Sequence, residues 1–526
     1  MKRPNIVIIN PDQMRADSLH HLGNEAASTP YMDALAADGV SYSHAFCQNP
    51  VCVPSRCSFT TGNYPHVHGH RTMQHLLRRG ESNLFRELKT AGYYVWSNAR
   101  GDLIAGQDRQ WLKENFDVLY SEVGAEYGKD EGRGEKGSDT YFSFYRGVVE
   151  NNSGAMLMDT DAVWTKGAVE QIHNRPKDQP MLLFLGLQAP HPPYRVEQMY
   201  IDRIDSSKLP KRIPSLPSDK PAIEVGIHQR LGMQNWSEER YDRLRAVYLG
   251  MCARVDDLVG QVVQALKEEA IYEDTAIFIL SDHGDYTGDY GLVEKCQNAF
   301  PDCLTNVPLI IKPPKGEALD PGVNHNLVEL VDFYATVIDY AGVIPNRTHF
   351  GQSLRESIGS KNVRTRKYVF CEGGRNHGET QCMEKNSFPG MEGMDEYEPR
   401  LSLQAMEGPE HTKATMIRSA DYKYVKRLYE RDELYDLRND PWELHNVIED
   451  PAYSDVRLEL KEAMLEWYQR TCDTVPMDYD SRFNDEYFIN LMGVRGAPIA
   501  WLKKEVLVKG RPMSEVLAAM LTRNGK

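Results

Sequence analysis

Four short runs with almost no polar residue set the tightest limit on what this chain can fold into: residues 6–9, 181–187, 275–280 and 307–311. A strand covered on one face alternates apolar and polar side chains. A run that is apolar at nearly every position needs cover on both faces, as a buried parallel strand has. Three of the runs lead into polar clusters: Asn10-Pro11-Asp12-Gln13, Ala189-Pro190-His191-Pro192 and Ser281-Asp282-His283-Gly284-Asp285. In an open α/β sheet, ligands collect just beyond the carboxyl ends of strands. Asp12, Gln13, His191, Asp282 and His283 are therefore placed for chemistry. His191 suits a general acid or an anion clamp; the plain alternative is a loop histidine without a role.

The remaining segments fill in an α/β pattern. Thr29 as a cap and Pro30 in the first turn predict a helix, and residues 39–46 read as a second strand. Helices are expected over 160–173 and 241–266, the latter with a core-facing stripe that includes Leu244, Val247, Met251 and Leu258. Residues 122–152 lack periodicity and read as a long surface insertion. After about residue 365 come half-exposed strands at 368–370, 414–418 and 422–426, and further on a helix over 456–470. The expected division is an α/β domain over 1–365, a small α+β subdomain over 366–472 and a tail over 473–526.

Cys52 opens the stretch Cys52-Val53-Pro54-Ser55-Arg56. Pro54 fixes its own φ and restricts Val53, and residues 58–61 can open a helix. A cysteine just ahead of that helix meets unpaired N–H groups and the positive dipole end, with the permanent cation of Arg56 beside it. Such a place suits a nucleophile attacking an anionic ester. A lone cysteine would more simply be a buried thiol.

The five-residue pattern resembles the signature of the formylglycine-dependent sulfatases. These belong to an alkaline-phosphatase-like superfamily that includes arylsulfatase, phosphonate monoester hydrolase and choline-sulfatase-like members. The resemblance runs from Asn5 to about Val447. It implies an α/β sandwich with a large, mostly parallel central sheet and a small C-terminal subdomain. It also implies oxidation of Cys52 to formylglycine, an aldehyde that hydrates to a diol, by a formylglycine-generating enzyme. Asp12, Gln13, Asp282 and His283 match its metal ligands. Mostly oxygen donors suit Ca²⁺ first, with Mn²⁺ or Mg²⁺ as alternatives. Lys295 matches the substrate lysine, and His70 or Arg71 is expected to face the leaving group. The loop 64–71 carries His66, His68 and His70, for which pocket lining is the plainer reading and metal binding the other. In the second motif, residues 92–101, Arg100 stands where the family usually has lysine, and the histidine that follows is missing. The roles implied are Arg56 holding the diol, Lys295 and Arg100 stabilising sulfuryl oxygens, and His191 protonating the leaving alcohol. The same site would serve hydrolysis of a sugar or aryl sulfate monoester, or of a phosphonate monoester or phosphodiester. A non-catalytic binding protein with this fold is the third reading.

A net charge of −15 argues against binding to nucleic acid or an anionic membrane, and makes local cations near Cys52 more informative. Nine cysteines without paired spacing argue against a disulfide framework. The first apolar run is too short for a signal-peptide core, so a cytoplasmic protein is expected. The tail holds apolar clusters at 487–492, 497–502 and 516–521 that require burial. They pack on their own chain or form a homo-oligomer contact.

Overall fold

The computed structural model describes residues 3–524, apart from 99, 101, 152, 218, 385–393 and 478–483. Ala99 and Gly101 of the second motif, Asn152 of the expected insertion, and residues 478–483 and 525–526 of the tail lie outside the described residues. Two compact units are present: Met1–Pro345 with His349–Thr474, and Asn346–Thr348 with Val475–Lys526.

In the first unit the chain lays down β1 (Asn5–Asp12), β2 (Val40–Phe46), β3 (Tyr94–Asn98), β4 (Val118–Tyr120), β5 (Tyr145–Val149), β6 (Met181–Pro190), β7 (Tyr194–Glu197), β8 (Thr275–Leu280), β9 (Asn306–Val307), β10 (Leu309–Lys312) and β11 (Gly322–Glu329). The central sheet runs β11-β2-β10-β8-β1-β6-β3-β4, with β9 on β2. Strands β8, β1, β6, β3 and β4 are mutually parallel. The apolar runs have the predicted cause. Ile6, Ile8, Leu182, Phe184 and Phe278 enter the core on one face, while Val7, Ile9, Leu183, Leu185 and Ile279 enter the core on the other. Each such side chain contributes about 1.5–3 kcal/mol by leaving water. Helices Cys52–Thr61 and Leu330–Ala341 cover the first face, and Thr160–Asn174 and Glu238–Glu268 the second. This is the expected mostly parallel α/β architecture between helical layers.

Three details differ from the sequence reading. Residues 307–311 are not one strand: Pro308, which has no N–H for a ladder, separates β9 from β10. Both are antiparallel to their neighbours. Residues 122–152 are not all insertion, because β5 pairs in parallel with β7. Thr29 does not cap the helix Pro30–Ala37 with its side chain; its hydroxyl donates to Asp33 (3.0 Å). The cap comes from the long helix, where Asp256 accepts the N–H groups of Tyr31 (3.0 Å) and Met32 (2.7 Å).

The same unit continues into an antiparallel sheet of β12 (Val369–Gly373), β13 (Ala414–Arg418), β14 (Tyr422–Arg427) and β15 (Glu433–Asp436). Helix Ser454–Thr471 packs Leu460, Met464 and Trp467 onto it, and Trp467 stacks on Phe370 with ring centroids 4.4 Å apart. This is the expected small C-terminal subdomain. The second unit contains helices Asp485–Val494, Ile499–Lys503 and Met513–Asn524 around Ile489, Leu502, Val506 and Val516. All nine cysteines are free thiols. Among the described residues, no helix is long and apolar enough to cross a membrane.

Candidate active site

The polar clusters meet because their strands are neighbours. β1 pairs with β6 on one side and β8 on the other, so Asp12, His191 and Asp282 leave the same edge of the sheet. The register of β1 shifts between Pro11 and Asp12, and Gln13 turns the chain with φ +67°. The helix that carries the signature begins at Cys52 itself, six residues earlier than its sequence suggests. Val51 is extended, and Pro54 sits in the first turn, where no N–H is needed. The helix ends at Gly62, whose φ of +71° and whose contact with Tyr334 exclude a side chain there. Every residue of this helix is buried.

Cys52 Sγ lies 3.2 Å from His283 Nε2 and 3.6 Å from Asp12 Oδ1. Arg56 donates from Nε to Asp282 Oδ2 (2.8 Å) and from Nη2 to Asp12 Oδ2 (3.1 Å). Arg100 also pairs with Asp12 Oδ2 and donates to the Leu187 carbonyl (3.1 Å). Both cations thus hold one oxygen of Asp12, and the other faces Cys52 and His283. Burial pushes the Asp12 carboxyl up, but Arg100 foremost, then His191, Arg56 and His283, outweigh it and hold its pKa well below the ordinary value. The Cys52 thiol is pushed well up, by burial first and by Asp12 next.

The His283 ring accounts for one of its nitrogens through Nδ1 and the Gly284 carbonyl (2.9 Å). Burial lowers its pKa, which leaves a neutral ring with the Nε2 lone pair facing the cluster. Asp12, Cys52, Asp282 and His283 each offer one ligand atom, all within 4.8 Å of one another and all buried. Two carboxylates and one imidazole fit a divalent cation of the hard to borderline class. Gln13 sits differently. Its N–H donates to Asp282 Oδ1 (3.1 Å), its amide nitrogen to Asp285 Oδ2 (2.6 Å), and its amide oxygen accepts from Lys295 Nζ (2.7 Å).

Lys295 Nζ also lies 3.0 Å from His191 Nε2, and His191 Nδ1 lies 2.7 Å from the Pro192 carbonyl. Burial first, and then the Lys295 ammonium, push His191 down to about 4. Burial disfavours the charge on Lys295, yet its anionic surroundings, including Glu294 at 2.6 Å, raise its pKa. The pair therefore shares a single proton, held on the lysine side.

The structure brings Cys52, Arg56, Arg100, His191, Lys295, Asp12, Gln13, Asp282 and His283 into one connected network. His70 and Arg71 make other contacts. His70 lies between the Glu81 carboxylate (3.1 Å) and the His75 carbonyl (2.8 Å). Arg71 holds Glu379 with two nitrogens (3.1 Å each) and the Gly374 carbonyl (2.9 Å). His66 pairs with Glu372 and His68 with Asn63, so the loop histidines are dispersed rather than convergent.

Other residues support the network without having been singled out by the sequence. Asp102 lies 3.1 Å from Arg100 Nε and 3.8 Å from Arg56 Nε. Asp285, raised to about 6 by burial, orients Gln13 and accepts from the Tyr194 hydroxyl (2.8 Å). Asp161 accepts the N–H groups of Gln188 and Ala189 (2.8 Å each) just ahead of His191. Only Asp285 carried a signal, through its place in the cluster after β8. A cavity of about 480 Å³ opens beside the network, lined by His191, Arg100, Asp102, Tyr127, Trp164 and Arg195 among others.

Comparison with known proteins gives a consistent result. The sulfatase family model matches residues 4–343, and the model for the C-terminal part of N-sulphoglucosamine sulphohydrolase matches residues 406–470. The uncharacterized sulfatase YidJ of Escherichia coli is 26% identical, with 90% of this chain and 88% of that protein covered. The choline-sulfatase of Rhizobium meliloti is 25% identical, with 85% and 83% covered. Among solved structures, the phosphonate monoester hydrolase of Agrobacterium radiobacter superposes with a TM-score of 0.67 at 21% identity, covering 89% of this chain and 96% of that one.

Proposed function

The chain belongs to the sulfatase family and is a hydrolase, and from that premise we propose that it releases inorganic sulfate from a sulfate monoester of a sugar or an aryl alcohol. In this reading Cys52, oxidised to formylglycine, is the nucleophile, and one divalent cation, Ca²⁺ foremost, is held by Asp12, Asp282 and His283 with Gln13 beside them. The observation that carries the reading is the approach of Cys52 Sγ to Asp12 and His283 at the buried start of its helix.

The oxidised side chain would supply an oxygen nucleophile in place of the protonated thiol. The cation would neutralise ester oxygens and favour the ionised nucleophile. The remaining chemistry rests on the chain's own residues. Arg56 is held by Asp12 and Asp282, and its proposed role is to hold the oxidised side chain of residue 52. Arg100 and Lys295 carry the charge that stabilises negative oxygens around the sulfur. Lys295 and His191 hold one mobile proton between them, and the leaving alcohol takes it. The cavity beside His191 and Arg100 has room for a sugar-sized or aryl alcohol.

The test joins mass spectrometry to substrate choice. Active enzyme should show loss of the thiol at Cys52, and Cys52→Ala should remove nearly all turnover. A nitrophenyl sulfate should be hydrolysed faster than phosphate diesters or phosphonates of the same nitrophenol. A fully active enzyme with an intact thiol defeats the nucleophile assignment. A preference for the phosphorus esters moves the reading to phosphonate monoester or phosphodiester hydrolysis, which this site chemistry also serves.

A further inference from the structure

Away from the active site, the C-terminal subdomain holds a second group of converging ligands. His377, Glu407 and His411 each offer one donor atom, and the three lie within 4.8 Å of one another. His411 is fully buried, yet neither of its ring nitrogens has a hydrogen-bond partner. Buried polar atoms are satisfied in the great majority of cases, and an unsatisfied one calls for a cause such as a bound ion. His411 Nε2 stands 3.3 Å from Glu407 Oε2 without the alignment of a hydrogen bond. That separation is close to the edge of a tetrahedron with metal–ligand bonds of about 2.0–2.1 Å, which is about 3.3–3.4 Å.

The surroundings hold these groups in place. Arg375 donates to Glu407 Oε1 (2.7 Å) and Gly378 N–H to Oε2 (3.2 Å). The Arg375 hydrogen bond, the largest influence, lowers the Glu407 pKa to about 2, so the carboxylate is ionised at neutral pH. The His377 ring stacks on Tyr429 at 3.7 Å and meets the His411 ring edge-on at 5.1 Å. The two backbone segments are joined by Arg375 N–H to the His411 carbonyl (3.0 Å). A side chain at Gly374, which has φ +74°, would meet the Thr412 carbonyl at 2.0 Å.

We propose that His377, Glu407 and His411 form a second metal site, selective for a first-row transition ion of the Zn²⁺ type and separate from the oxygen-rich cluster at Asp12 and Asp282. Two imidazoles and one carboxylate suit that class and disfavour Ca²⁺ or Mg²⁺. The exposed side of the group leaves a fourth position for water or an outside ligand. The ion would brace the loop that presents Glu379 to Arg71.

Full-length protein stripped with a chelator and dialysed against Zn²⁺ in excess Ca²⁺ tests the proposal. Elemental analysis should find about one zinc per chain in the wild type. His377→Ala, which removes an exposed ring, and Glu407→Gln should each weaken zinc retention by at least tenfold. Zinc should raise the melting temperature of the wild type and leave that of His377→Ala unchanged. Loading with Co²⁺ should give visible absorption bands that His377→Ala lacks. Equal zinc retention by wild type and His377→Ala would place the ion elsewhere and overturn the proposal. Failure of the wild type to retain zinc would overturn it as well.

Discussion

At the scale of single residues, His191 is the group whose role the geometry sharpens most. Its Nδ1 faces the Pro192 carbonyl and its Nε2 faces Lys295, so it can pass a proton only in concert with that lysine. Esters of poorly acidic alcohols need this proton, whereas nitrophenyl esters depart without it. His191→Ala should therefore slow alkyl or sugar sulfates by up to ~10⁴-fold and nitrophenyl sulfate far less. Steady-state kinetics on a leaving-group series checks this; equal losses across the series would assign His191 to sulfate binding. Removal of the divalent cation should also be felt beyond catalysis. Asp12, Asp282 and His283 are wholly buried and would lose a shared partner. Chelation should lower the melting temperature as well as the rate, and Asp282→Ala should remove the response to chelator.

At the scale of elements, the cap supplied by Asp256 ties the long helix to the start of the helix after β1. Burial raises its carboxyl to about 7. The folded chain thus holds a proton that the unfolded chain releases near the ordinary value of 3.8. Its contribution to stability is greatest at low pH and is lost as pH rises toward 7. Asp256→Asn, which keeps one acceptor, should reduce the stability difference between pH 5 and pH 8 by about 1–3 kcal/mol in denaturant titrations. An unchanged difference would mean that the carboxyl titrates normally. This cap also shows where the sequence stops being readable. The strands were legible because burial on two faces erases alternation, and the polar pairs Asp12-Gln13 and Asp282-His283 because they follow those strands. Asp256 could not be read as the partner of Tyr31, since 225 residues separate them. β5 was hidden because Gly147, at φ +66°, interrupts its short alternating run. Asp102 and Tyr194 join the site through side-chain contacts that no local spacing encodes. Arg71 looked available in sequence because Glu379, which engages it, lies 308 residues away.

At the scale of the whole molecule, the second unit buries Ile489, Leu502, Val506 and Val516 within itself but leaves Val494 and Val508 exposed at 87% and 79%. These two valines lie outside the tail's apolar clusters at 487–492, 497–502 and 516–521, so a homo-oligomer contact through the tail is a proposal that the solution mass decides. Light scattering should give a mass well above one 60.0 kDa chain, and deletion after Asp473 should reduce it; a monomer before deletion would end that reading. Burial of the signature has a different consequence, which concerns time. Cys52 is 3% exposed once folded, and its neighbours Asp282 and His283 are synthesised 230 residues later. At roughly 5–20 residues per second, the ribosome needs on the order of 10–50 s to cover that distance. Throughout it β1 lacks β8, so the cysteine would remain open to an enzyme that oxidised it. Natively folded, unmodified protein should resist conversion when offered that enzyme, and the same protein in denaturant-unfolded form should accept it. If Cys52 is converted as proposed, its oxidation would be a race between a modifying enzyme and the late arrival of a single strand.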